Sequence, residues 1–291
     1  MLVLGTVQLG IPYGIANSTG QPSQKVATSI IAEAWKNGIC EFDTAQGYGI
    51  SESVLGIAFS ELGINTKVRV ISKFNPQIDH LDQDAMLNAI EASIERLRIS
   101  KLYGIMLHRE ELLSLWNKGL FEVLKKFVLT NKAERIGISV YTPEIAIEAL
   151  QTDGIDMIQI PANIFDRRFE NAGVFQLAEK KKKEVFIRSV FLQGLLLMDI
   201  SMIPKKMSFA IPYIEKVDKL SKELRLTRHE IAFGYIKSAI PSAKIVFGAE
   251  TKEQVIENLS AWQKDVSAFL SEKVKAIFPN VDEKLLNPSL W

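Results

Sequence analysis

The chain holds a single cysteine, Cys40, among 291 residues. No intramolecular disulfide can form and no cysteine-based metal cluster is available, which fits a reducing interior compartment. An excess of charge of either sign is also missing, since 35 lysines and arginines stand against 34 acidic residues. That balance excludes a general electrostatic attraction to nucleic acid or to an anionic membrane. No apolar run reaches the roughly 18 residues of a membrane span. Met1-Leu2-Val3-Leu4-Gly5 lacks the basic start of a secretion signal. These absences predict a soluble, cytoplasmic protein that acts on a small molecule, with no nucleic acid, membrane or metal as partner. Low-complexity linkers and short-period repeats are absent too, so the simpler expectation is one domain over 1–291.

What is present is alternation. At 47% hydrophobic content the chain can fill one large core or two ordinary ones. Short β-type runs are predicted at 2–6, 41–44, 68–72, 103–107, 135–139, 156–161, 184–189 and 244–247. Between them lie helical patterns at 24–37, 51–62, 82–97, 122–131, 143–150, 175–182, 227–238 and 251–264. Ser51 ahead of Glu52, and Thr142-Pro143-Glu144, offer capping hydroxyls, and Gly38 closes the first helix after Asn37. Eight strand–helix units predict an α/β fold, the (β/α)8 TIM barrel, whose usual length is about 250 residues. A doubly wound sheet is the rival, but the Gly5 to Gly14 region lacks its G-x-G-x-x-G turn. The stretch 196–213, with Pro204 and Pro212, reads as a long loop, and 265–291 as a tail packed on the barrel.

In such a barrel the C-terminal strand ends share one mouth, where active sites sit. Asp43, Lys73 and His108 fall at those ends, and Tyr48 lies a few residues into the loop after the second strand. A phenol beside an ammonium is a weak acid made useful at neutral pH, because the positive charge favours the phenolate.

The segment Phe42-Asp43-Thr44-Ala45-Gln46-Gly47-Tyr48-Gly49, with Ser51-Glu52 and Leu55-Gly56, resembles the signature of the aldo-keto reductases. Lys73 in Ile71-Ser72-Lys73 and His108 in Met106-Leu107-His108 complete the tetrad of that family. The resemblance implies that Tyr48 donates a proton to a carbonyl, Lys73 lowers its pKa, Asp43 holds Lys73 and His108 orients the carbonyl. It also implies hydride transfer with NADP or NAD. Cofactor contacts would come from Ser139, Gln159, Arg188, Ser189, Gln193, Gly194, Gly248, Ala249, Gln254 and Asn258, and a substrate contact from Asn163; the charge of Arg109, directly after His108, makes it a second substrate candidate.

The chain departs from that pattern in places. Val140 stands where an amide side chain is usual, and Arg188 where an aromatic ring usually lies under the nicotinamide. Gly248, Ala249 and Gln254 occupy positions that are often basic in relatives preferring the phosphorylated cofactor, leaving Lys252 as a nearby cation. Gly248-Ala249-Glu250-Thr251, opening a helix, outlines a phosphate cradle. Arg109, Arg167, Arg168 and Arg188, if convergent, would suit a carboxylate, a phosphate or a nucleotide-linked sugar. Two alternatives stay open at this point: a cofactor-free isomerase, lyase or dehydratase acting on a sugar or sugar acid with the same tetrad, and a non-catalytic, reductase-like regulator.

Overall fold

Strands that are apolar on both faces need cover on both sides, which parallel strands receive from the helices that connect them. The computed structural model describes residues 1–267 and 269–291, with Ser289 by its backbone alone. In it β1 (Leu2–Gly5), β2 (Glu41–Asp43), β3 (Arg69–Lys73), β4 (Leu102–Leu107), β5 (Ala133–Ser139), β6 (Met157–Pro161), β7 (Glu184–Arg188) and β8 (Lys244–Gly248) pair in chain order. Every neighbouring pair is parallel, and β8 returns to β1 to close the barrel. The (β/α)8 expectation holds, and strand limits move by one or two residues.

The two-residue period of a strand sorts the interior into levels. Val3, Ile71, Tyr103, Met106, Met157 and Phe186 form an apolar plug across the lumen. Below it, toward the N-terminal strand ends, lie Glu41, Arg69, Glu184 and Lys244; above it lie Asp43, Lys73, Gln159 and Arg188. A second, larger apolar cluster fills the space between the strands and the surrounding helices.

Three local expectations change. The stretch read as one loop at 196–213 contains short 3-10 turns at Leu192–Leu197, Ile200–Met202 and Lys205–Ala210, and then a helix, Ile211–Leu224. Pro212 sits in the first turn of that helix, where its missing N–H costs nothing, so it starts the helix rather than breaking it. Ser51 is no cap: it is the first helical residue after Ile50, and its hydroxyl donates to the Thr6 carbonyl (2.9 Å). Thr142 likewise turns its hydroxyl to Glu110 (3.3 Å) while Pro143 opens the helix. Gly38, at φ +85°, does close the first long helix, its N–H reaching the Trp35 carbonyl.

The tail forms a helix, Phe269–Ile277, against Arg228–Ala239, and Phe278 meets the edge of Phe165 with ring centroids 4.9 Å apart. Among the described residues no helix is long and apolar enough to cross a membrane.

Candidate active site

The end of β2 is tied down from below and from the side. Thr6 Oγ1 donates to the Asp43 carbonyl (2.8 Å), and Ser51 links Thr6 to Thr44, whose hydroxyl donates to Ser51 Oγ (3.0 Å). Glu52, buried one residue further on, accepts from Ser72 (2.6 Å) and from Arg96 Nε (2.8 Å), which anchors β3 beside it. The loop carrying Tyr48 is pressed onto the turn after β1. A Cβ on Gly10 would stand 1.8 Å from the Tyr48 carbonyl, and Gly49 combines φ +55° with a 2.4 Å approach to the Gly10 carbonyl. Glycine at both places is what lets the Tyr48 loop descend to the mouth.

Within the mouth Lys73 Nζ donates to both Asp43 carboxylate oxygens (2.8 Å each) and to the Thr44 carbonyl (3.0 Å). Gln159 Nε2 donates to Asp43 Oδ1 (2.7 Å). The Lys73 ammonium lies 5.1 Å from the centre of the Tyr48 ring, and the His108 ring meets that of Tyr48 edge-on at 5.6 Å. The structure thus brings Asp43, Tyr48, Lys73 and His108 together.

Its electrostatics differ from the expected arrangement. Burial, and then the Asp43 carboxylate, raise the Tyr48 pKa, and the opposing cation is Arg188. Lys73 is paired where it stands, both carboxylate oxygens of Asp43 accepting from its ammonium. The phenol consequently holds its proton at neutral pH. Burial lowers the Lys73 pKa, with Asp43 acting against that shift. His108 is brought down to about 4 by burial, then by Lys73, Arg188 and Arg109, so its imidazole is neutral at pH 7, and its buried Nδ1 has no hydrogen-bond partner.

A cavity of about 490 Å³ opens beside the tetrad, lined by Asp43 and Tyr48. Its volume is that of an ordinary small-molecule site. Of the expected cofactor residues, Gln159, Arg188, Ser189, Gln193, Gly194, Gly248, Gln254 and Asn258 line it. Ser139 and Ala249 are buried but do not reach it.

Two expected substrate contacts are corrected. Asn163 folds into its own loop, its Oδ1 accepting the Phe165 and Asp166 N–H groups while Nδ2 donates to the Ser189 carbonyl (3.2 Å). Arg109 is exposed outside the cavity. The other arginines are spent elsewhere too: Arg167 bonds the Phe278 carbonyl and Arg168 pairs with Asp166. The phosphate cradle is partly filled by the chain itself, because Gln254 Oε1 accepts the Glu250 N–H (2.7 Å) and Thr251 Oγ1 that of Gln254 (3.2 Å). Lys252 is exposed beside Glu253.

Sequence reasoning missed Tyr13, Gln8 and Tyr141. Tyr13 and Gln8 line the cavity from the loop after β1, and Tyr141 carries the Arg188 guanidinium 4.2 Å above its ring. Tyr141 directly follows Val140 beyond the end of β5, a position that itself signals a mouth residue; Tyr13 and Gln8 carried no comparable signal. The wall after β7 is built under backbone strain, with Ser189, Leu192 and Gln193 all at positive φ, and the Gln193 carbonyl accepts the Ile15 N–H (3.1 Å).

Unpaired buried polar atoms lie along the cavity at Gln8 Oε1, Arg188 Nη2 and Asn258 Oδ1. Spread from the β1 loop to the helix Lys252–Gln263, they fit a polar, extended ligand, and a nicotinamide dinucleotide is of that kind.

The family model of the Aldo/keto reductase family matches residues 1–277. The chain is similar to the NADH-specific methylglyoxal reductase of Escherichia coli strain K12, with 26% identity over 91% of this chain and 90% of that protein. It is also similar to the aldo-keto reductase YhdN of Bacillus subtilis, at 26% identity over 61% of this chain and 55% of the relative. Among solved structures, the aldo-keto reductase AKR11C1 from Bacillus halodurans, in its holo form, superposes with a TM-score of 0.78 at 21% identity, covering 98% of this chain and 95% of that one. An aldo/keto reductase from Klebsiella pneumoniae, solved with NADP and acetate, superposes at 0.73 and 20% identity, covering 96% and 91%. The family match over nearly the whole barrel shows that this chain belongs to the aldo/keto reductase family and with it to the NAD(P)H-dependent oxidoreductases.

Proposed function

We propose that the protein reduces the carbonyl of a small aldehyde, ketone or sugar, with Tyr48 as proton donor. The observation that carries this reading is Tyr48 itself, a protonated phenol at the cavity wall beside the closed Asp43–Lys73 pair. A reduced nicotinamide dinucleotide, which Gln8, Gln254 and Asn258 along the cavity would hold, would supply the hydride to the carbonyl carbon. Tyr48 releases its proton to the oxygen as negative charge builds there, and the carbonyl becomes an alcohol. An alkoxide is a far stronger base than a phenolate, so a phenol of raised pKa still transfers to it. His108, neutral, offers a ring nitrogen to the same oxygen and does not compete as an acid. Lys73 and Asp43 set the position of the phenol and the field around it, and Gln159 holds Asp43 from the far side. The tetrad then works in hydride-coupled chemistry rather than in the cofactor-free isomerisation that the same residues also allow.

Cofactor preference follows from charge. Glu250 and Glu257 line the part of the cavity nearest the helix Lys252–Gln263, and no lysine lines the cavity among the described residues. A phosphate monoester is repelled there, so the unphosphorylated dinucleotide is favoured.

Calorimetric titration with NADH and NADPH, followed by assay with methylglyoxal and larger aldehydes, tests the reading. Tyr48→Phe is expected to bind the dinucleotide and to lose turnover. Failure of both dinucleotides to bind at millimolar concentration would sink it.

A further inference from the structure

Arg188 is the one lysine or arginine lining the cavity among the described residues. It projects from the last position of β7, into the level that also holds Asp43, Lys73 and Gln159. Among the described residues no carboxylate pairs with it. Asp43 is taken by Lys73, and Asp199, Glu250 and Glu257, the other carboxylates on the lining, make no ion pair with it. Its single hydrogen bond is a long one to Ser189 Oγ (3.4 Å), and Nη2 is buried with no partner. The guanidinium lies over the Tyr141 ring at 4.2 Å, which fixes its plane and leaves its N–H edge free. Lys73, the fully buried cation of the mouth, is paired, whereas the half-buried Arg188 is held over a ring with one nitrogen unsatisfied. A guanidinium fork matches a carboxylate or phosphate through two parallel N–H···O bonds.

We propose that Arg188 recognises a negatively charged group on the substrate, a carboxylate or a phosphate ester, so that the protein selects anionic carbonyl compounds over neutral ones. The inference rests on the reading of Tyr48 as proton donor to a carbonyl, because it places the anion within reach of that phenol. Its charge is felt across the mouth, where Arg188 opposes the rise of the Tyr13 and Tyr48 pKa values and helps to depress those of Lys73 and His108. The Tyr141 ring acts as a positioning residue, one that sets the plane of the fork without touching the anion.

Two pairs of probes separate the possible anions: glyceraldehyde 3-phosphate against glyceraldehyde, and succinic semialdehyde against butanal. In the wild-type protein one charged member is expected to exceed its neutral partner in kcat/KM, and which pair shows the preference identifies phosphate or carboxylate. In Arg188→Gln that ratio is expected to fall by about 10- to 100-fold, the equivalent of one lost charged hydrogen bond. Arg188→Lys, which keeps the charge but not the fork, is expected to fall between the two. Equal ratios in wild-type and Arg188→Gln proteins overturn the proposal while leaving carbonyl reduction intact. So does a weakened dinucleotide affinity with an unchanged ratio, which would assign the guanidinium to the cofactor. A binding measurement separates this proposal from failure of the reduction reading itself: titration of the cofactor-free protein with oxalate and with inorganic phosphate. Tighter binding of either anion to wild-type than to Arg188→Gln supports the anion site even if no carbonyl is turned over. Identical weak binding to both proteins overturns it.

Discussion

The two ends of this barrel are built from the same residue types and treat charge in opposite ways. At the N-terminal end Glu41 is buried between Arg69 (3.1 Å) and Lys244 (3.0 Å), and Lys244 also reaches Glu184 (2.9 Å). Tyr103 donates to Glu184 (2.7 Å) beneath the guanidinium of Arg69 at 3.8 Å, and burial together with that bond pushes its pKa up to about 12. Each of these groups has its partner. In the mouth at the C-terminal end the Asp43–Lys73 pair is closed, while Arg188 Nη2, His108 Nδ1, Gln8 Oε1 and Asn258 Oδ1 stay buried and unpaired. An unmatched buried polar group lowers stability, so a fold retains one where a ligand completes it. The floor serves stability and the mouth serves chemistry.

That division can be broken by experiment. The largest expected effect is at the mouth: Tyr48→Phe lowers kcat by about 10²- to 10⁴-fold, the range for loss of a general acid, with the urea midpoint nearly unmoved. A fall in both would mean that the phenol is a structural part. The converse belongs to the floor. Glu41→Gln leaves Arg69 and Lys244 facing each other and lowers stability by about 3 kcal/mol, toward the low end for a broken buried pair because Arg69 is partly exposed. Turnover by the folded Glu41→Gln protein should match wild type, and a catalytic defect would show that the two ends communicate.

Acid sharpens the contrast. His108 is held neutral in the fold, its pKa brought from 6.5 to about 4. As pH falls from 6.5 toward 4 the unfolded chain takes up this proton and the folded one does not, so stability declines across that window and this contribution levels off below it. His108→Gln removes that share of the decline, and urea titrations of both proteins through the window measure it. The smallest effect concerns the cofactor. Glu250→Lys, which reverses a charge on the lining, is expected to improve NADPH affinity about 10-fold relative to NADH, the order of one charged contact. An unchanged ratio would remove Glu250 from the phosphate end.

Asp43, Lys73 and His108 were legible as mouth residues because each stands at or just after a strand end, and a strand end is a local feature of sequence. Asn163 and Arg109 stay off the cavity wall for one common reason. Each lies just beyond a strand, where a side chain points to the mouth or away from it according to the loop, and Asn163 satisfied its own turn instead. Tyr141 carried a clue in its place after β5, yet its pairing with Arg188 joins a loop to a strand end 47 residues away in the chain. The helix Ile211–Leu224 hid behind Pro212, whose meaning depends on whether it falls in a first turn or in mid-helix.

By itself the sequence determined the alternation of strand and helix, the closure expected of eight such units, and which polar residues stand at the strand ends. These rest on period and on order along the chain, which need no knowledge of distant contacts. Tertiary structure alone decided which charges meet. Coulomb energy depends on separation and on burial, and both are set only when the barrel closes. Closure paired Lys73 with both oxygens of Asp43 and left Arg188 unpaired, as a cation that opposes the rise of the Tyr48 pKa.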